Sequence, residues 1–151
     1  MKQITLPLEI SRDSRPIVRL ENFFGIKALL DTGATIPVWV DEERLIIGGV
    51  KISENFTFSG FGGSTQGTLY RIPAFTVGEL TFPHLPVVVA KMNAPFYMIL
   101  SASMFSRLRY EIDDFDHKLN ITIPPGESFV RNIAIRDENG RIRIVLANEK
   151  Q

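Results

Sequence analysis

An all-β fold is what this sequence predicts, on three observations. Eleven Phe, eleven Gly and nine Pro are spread through short apolar runs with frequent breakers, a pattern that suits many strands and tight turns rather than long helices. Several runs alternate apolar and polar residues with the period of two that a half-buried sheet face requires. Several polar or glycine-rich clusters fall between such runs where hairpin turns would lie. At 151 residues the chain has the length of one domain, long enough to bury a core without metals or disulfides. It contains no internal repeat and no low-complexity tract.

Ile4, Leu6, Leu8 and Ile10 share one face of the first strand, and Ser11-Arg12-Asp13-Ser14-Arg15-Pro16 supplies the turn. Residues 17–20 and 25–30 flank the polar pair Glu21-Asn22 as a second hairpin. Ile36-Pro37-Val38-Trp39-Val40 is too apolar for the surface, and Pro37 points to an edge or an irregular path. Asp41-Glu42-Glu43-Arg44-Leu45 suits one helical turn before Gly48-Gly49. Phe56-Thr57-Phe58 and Leu69-Tyr70-Arg71-Ile72 flank the glycine-rich tip 59–67. Residues 73–77 and 82–90 make another strand pair around Gly78-Glu79-Leu80, with 85–90 apolar enough to be buried. Residues 96–108 run from an apolar strand into a helical stretch. Tyr110-Glu111-Ile112 and residues 119–123 bracket a polar turn, and residues 133–136 pair with 141–146 around Asn139-Gly140, the strongest hairpin turn signal in the chain.

Composition narrows the function classes. Seventeen basic against seventeen acidic residues leave no electrostatic footprint for nucleic acid or for an anionic membrane. With no cysteine, thiol catalysis, thiolate metal sites and disulfides are all excluded, and a reducing cytoplasm is the expected compartment. The N-terminus lacks a long apolar core and no later run approaches membrane-spanning length, so the expectation is a soluble, unexported, cytoplasmic protein. His84 and His117 stand in no metal-ligand spacing. The acidic turn at 113–118 lacks the glycine and distal Glu of a calcium loop.

The chemistry centres on Ile26-Lys27-Ala28-Leu29-Leu30-Asp31-Thr32-Gly33-Ala34. An apolar strand delivers a carboxylate into a tight turn, and a lone carboxylate in low-dielectric surroundings costs several kcal/mol unless it has partners. Thr32 adds a hydroxyl to hold the turn, while Gly33 lets an amide approach the carboxylate without a Cβ in the way. From these residues alone, an ordinary Asx-type turn and a working carboxylate both fit. The tip Gly60-Phe61-Gly62-Gly63 is no phosphate cradle, because no P-loop Lys and no helix pattern follow. Its main-chain amides suit pairing with an extended peptide as an added strand.

Asp31-Thr32-Gly33-Ala34 after an apolar strand, the Gly60-Phe61-Gly62-Gly63 hairpin downstream, and Ile99-Leu100 before a helical stretch together resemble the retropepsin-like aspartic proteases, single-domain relatives of pepsin. The likeness spans about Ile17 to Ile123. It implies a closed acid-protease-like barrel with a flap hairpin and one short helix over residues 1–123, with 124–151 a C-terminal β-hairpin extension of the same domain. Ser101 stands where that family carries Gly, and Ala102 where retroviral members carry Arg.

The resemblance further implies an aspartic endopeptidase acting on a peptide or protein substrate, with Asp31, Thr32 and Gly33 catalytic and Ala34, Gly60, Phe61, Gly62 and Gly63 against substrate. Hydrolysis by this route needs two carboxylates sharing a proton, and the chain carries one such Asp, so a two-fold homodimer is expected. No metal and no organic cofactor are implied. The alternative from another class is a peptide-binding or dimerisation module of the same fold with weak or no catalysis.

Overall fold

The computed structural model describes residues 2–40, 48–60, 63–138 and 141–147. Within them the chain runs β1 (Lys2–Ile10), β2 (Pro16–Leu20), β3 (Ile26–Asp31), β4 (Val38–Trp39), β5 (Val50–Gly60), β6 (Gly63–Val77), β7 (Leu80–Val89), β8 (Met98–Ser101), a 3-10 helix (Ala102–Phe105), β9 (Arg109–Asp113), β10 (Lys118–Ile123), β11 (Ile133–Glu138) and β12 (Arg141–Leu146). The fold is all-β, and no described helix is long and apolar enough to cross a membrane. The helical turn expected at Asp41 to Leu45 lies outside the described residues.

Ten strands form one sheet in the order β5-β6-β7-β4-β8-β3-β2-β1-β10-β9. The expected closed barrel is therefore corrected: the order is linear, with β5 and β9 at its two ends. Each end is ill suited to closure. β5 carries register shifts between Lys51 and Ser53 and between Ser53 and Phe56, and irregularities of that kind turn an edge away from further pairing. β9 is exposed along nearly all its length and alternates Arg109, Glu111 and Asp113 with Tyr110 and Ile112, a charged edge of the sort that resists a neighbour.

The alternation in β1 buries Ile4, Leu6 and Leu8 as its period demands. The middle of the sheet follows a different rule. Ala28, Leu30, Met98 and Leu100 belong to the larger core cluster, while Leu29 and Ile99 belong to a second cluster with Ile17, Ile36, Val38 and Phe56. Covered on both faces, β3 and β8 need no polar alternation, and they pair in parallel as such strands commonly do.

Pro37 does not keep its neighbourhood at an edge. β4 lies between β7 and β8, with Pro37 just before its first residue, where the missing N–H costs no ladder bond and the carbonyl accepts from Val88 N–H at 3.0 Å. Gly78 closes the β6–β7 turn with φ +58, and a Cβ there would stand 2.9 Å from Ile4 Cγ2, so the turn is pressed against β1. β11 and β12 pair from Ile133↔Leu146 to Glu138↔Arg141 as a separate two-stranded sheet. Ile133 and Leu146 complete the larger core.

Candidate active site

Asp31 is the last residue of β3, and the parallel ladder sets it opposite Ser101, the last residue of β8. The apolar pairs Leu29-Leu30 and Ile99-Leu100 bury the two strands up to that point, and the chain then turns. Gly33 N–H donates to Asp31 Oδ1 at 2.9 Å, and Ala34 N–H donates to the Asp31 carbonyl at 3.1 Å. An ideal Cβ on Gly33 would lie 3.3 Å from that same Oδ1, which is why the residue facing the carboxylate has no side chain. Asp31 is half-buried, Thr32 and Gly33 are exposed, and Ala34 is half-buried. The sequence-predicted group 31–34 is thus one compact turn with its carboxylate held by the backbone and open to solvent on one side.

A second turn meets it. The 3-10 helix begins directly after Ser101, and its first amide, Ala102 N–H, donates to the Ala34 carbonyl at 3.1 Å. Ser101 is fully buried, and its hydroxyl lies 2.7 Å from that of Ser103. The hydroxyl that replaces hydrogen at this position is therefore satisfied within its own turn, while the Asp31 to Ser101 register is kept.

Gly60 and Gly63 face each other at the far end of the β5–β6 hairpin; Phe61 and Gly62 lie outside the described residues. The two groups of predicted site residues are carried by separate elements, but the smaller core cluster links them. Phe56 and Leu69 at the hairpin base belong to it, and Ala34 packs against its rim. Both histidines are exposed, and among the described residues no group of three or more His, Asp or Glu is placed to hold a metal.

Arg131 is a buried charged residue against the 3-10 helix that sequence reasoning missed. It is 1% exposed, with Nε donating to the Met104 carbonyl at 3.0 Å and Nη2 to the Ser106 carbonyl. Burial pushes its pKa down, and the charge of Glu127 acts in the opposite sense. A single Arg after Phe129-Val130 carries no sequence signal of burial, since Arg is almost never fully buried unless paired.

The profile of a family described as aspartyl protease matches residues 19–104. Among curated proteins none matches. Among solved structures, the chain is similar to a retropepsin-like aspartic protease from Rickettsia conorii, at a TM-score of 0.57 and 19% identity over 80% of this chain and 89% of that one. At that identity the likeness shows the fold alone.

Proposed function

This chain belongs to the retropepsin-like aspartyl protease family, and from that premise we propose that it is an aspartic endopeptidase whose active site forms between two copies of itself. The observation that carries the reading is the Asp31 turn: a half-buried carboxylate at the end of an apolar strand, with Oδ1 on the Gly33 amide. A single carboxylate cannot serve as base and acid in the same step, so the second comes from Asp31 of another copy across a two-fold axis.

In the proposed reaction one ionised Asp31 takes a proton from a water molecule, and the water oxygen attacks the scissile carbonyl carbon. The protonated Asp31 of the other copy gives its proton to the carbonyl oxygen, producing a neutral tetrahedral diol. Collapse of the diol breaks the C–N bond as one of its hydroxyls returns a proton to the now ionised second carboxylate, and the amine leaves with a proton from the carboxyl that accepted one. Activity therefore requires one carboxyl protonated and its neighbour ionised.

Gly33 holds the carboxylate in its turn, and Thr32 braces the two turns across the axis. The β5–β6 hairpin acts as the flap, with Gly60, Phe61, Gly62 and Gly63 offering backbone groups to an extended peptide and excluding bulk water. Ala34 stands beside the substrate. The chemistry asks for no metal or organic cofactor.

The test is cleavage of a mixed peptide library by wild type and by Asp31→Asn. Loss of cleavage with the dimer intact by sedimentation is the expected result. Cleavage that survives the substitution removes Asp31 from the chemistry, and a wild type that binds peptide without cutting it favours a binding module.

A further inference from the structure

The matched span ends at residue 104, yet residues that follow β10 return to the start of β7 and to the end of the 3-10 helix. Thr81 N–H donates to the Phe129 carbonyl at 2.9 Å, and Arg131 N–H donates to the Thr81 carbonyl at 2.8 Å. These bonds form a parallel bridge between Thr81 and Val130, and they fix the backbone of residues 129–131 against the start of β7. The Arg131 side chain is then buried beside the 3-10 helix. Arg107 Nε, just beyond that helix, meets Glu127 Oε1 at 2.7 Å, a second tie between the same two segments.

The carbonyls at the end of the 3-10 helix show what Arg131 does. Ser103 O receives Ser106 N–H at 3.4 Å, and Phe105 O receives Leu108 N–H at 3.0 Å. Met104 O and Ser106 O are the two that Arg131 takes. A helix end leaves carbonyls without backbone partners, and leaving them buried and unpaired costs their desolvation. The planar guanidinium reaches both at once, which the single point of a lysine ammonium does not. The opposite end of the same helix donates Ala102 N–H to Ala34, next to Asp31. One four-residue helix therefore has Arg131 at its far end and the Asp31 turn at its near end.

We propose that Arg131 is a positioning residue for the Asp31 turn: by clamping the Met104 and Ser106 carbonyls it fixes the 3-10 helix, and through the Ala102 to Ala34 bond it fixes the carboxylate. Its effect on rate rests on the proposed protease chemistry. Its effect on the turn does not. It follows that the segment beyond the matched span is part of the catalytic apparatus, and that a chain cut after β10 would retain Asp31 without its support.

The experiment uses the full chain with Arg131→Met and Arg131→Lys, followed by amide hydrogen exchange and by steady-state cleavage. In Arg131→Met the Ala102 amide should exchange about tenfold faster or more, the consequence of losing charge-assisted bonds, while Ile121 in β10 keeps its protection. kcat should fall about 10²-fold, the cost of a displaced reacting group, with KM unchanged, the pattern of an interaction that acts on the reacting geometry. Arg131→Lys should lie between wild type and Arg131→Met in both readouts. Unchanged Ala102 exchange in a folded Arg131→Met overturns the proposal, as does a uniform acceleration of every amide, which would mean a general loss of stability. Should Arg131→Met fail to fold, Arg131→Lys decides: wild-type exchange and wild-type kcat there overturn it. If wild type cleaves nothing, the protease reading fails and the exchange measurement still judges the clamp.

Discussion

The corner that holds Asp31 and the hairpin that carries Gly60 and Gly63 are built on opposite plans. Residues 28–31 pair with Met98–Ser101 on one side while β2 flanks β3 on the other, and Leu29, Leu30, Ile99 and Leu100 are all buried. Residues 56–60 and 63–67 pair only with each other, because β6 joins β7 from Thr68 onward. A strand held on both edges and both faces keeps its end in place. A two-stranded arm is marginally stable by itself and opens at lower free energy than the core. Under the proposed protease reading, the fixed carboxylate and the cover that admits a peptide fall to separate elements, and these share one apolar cluster at their roots.

Substitutions can break or sharpen that contrast. Asp31→Asn should reduce cleavage by about 10³-fold or more, the order expected when an acid–base group is removed, with little change in the thermal midpoint. Leu100→Ala, in the fixed corner, should cost about 2 to 5 kcal/mol in denaturant unfolding, as large-to-small changes in a packed core do; Thr57→Ala, exposed on the arm, should stay within about 0.5 kcal/mol. Similar values for the two would erase the distinction. Gly33→Ala forces Asp31 Oδ1 to yield by a few tenths of an ångström from a Cβ at 3.3 Å. It should lower kcat about tenfold, less than a full ångström of misplacement would, with unfolding nearly unchanged.

The smallest effect concerns the outer face beside the corner. Lys27 hydrogen-bonds Glu9 at 3.2 Å and holds its carboxyl below the ordinary range; partial burial opposes the shift and Arg19 at 3.3 Å adds to it. A lowered folded-state value means that the stabilisation is present above the ordinary carboxylate range and is lost as pH falls through the folded value. Glu9→Gln should accordingly remove a few tenths of a kcal/mol at neutral pH, the scale of exposed ion pairs, and nothing in strong acid. Equal destabilisation at both pH values would refute that linkage.

Where structure follows from neighbours in sequence, the chain was readable. Ile4, Leu6 and Leu8 announced β1 by their spacing, and Asn139-Gly140 announced the pairing of the strands on either side of it. Asp31, Thr32, Gly33 and Ala34 stand in one turn, as the motif implied. What the sequence left unread depends on distant partners. The runs Ala28-Leu29-Leu30 and Met98-Ile99-Leu100 are apolar throughout because both faces are covered, so their pattern names no partner and no direction. Pro37 left an edge or an irregular path open for 36–40; the path is irregular up to a two-residue β4, and the edge alternative fails because a proline just outside a strand still offers its carbonyl. Arg131 was invisible because its burial is produced by a bridge to Thr81, fifty residues earlier in the chain.

The claim that two copies share one pair of carboxylates is tested most directly by mixing subunits. Wild type and Asp31→Asn are combined at constant total concentration, allowed to exchange, and assayed for cleavage. A shared site predicts that activity falls as the square of the wild-type fraction, to about one quarter in an equal mixture, since every hybrid of a two-fold dimer is inactive. A linear decline to about one half would mean that each chain works alone, and would contradict the shared site.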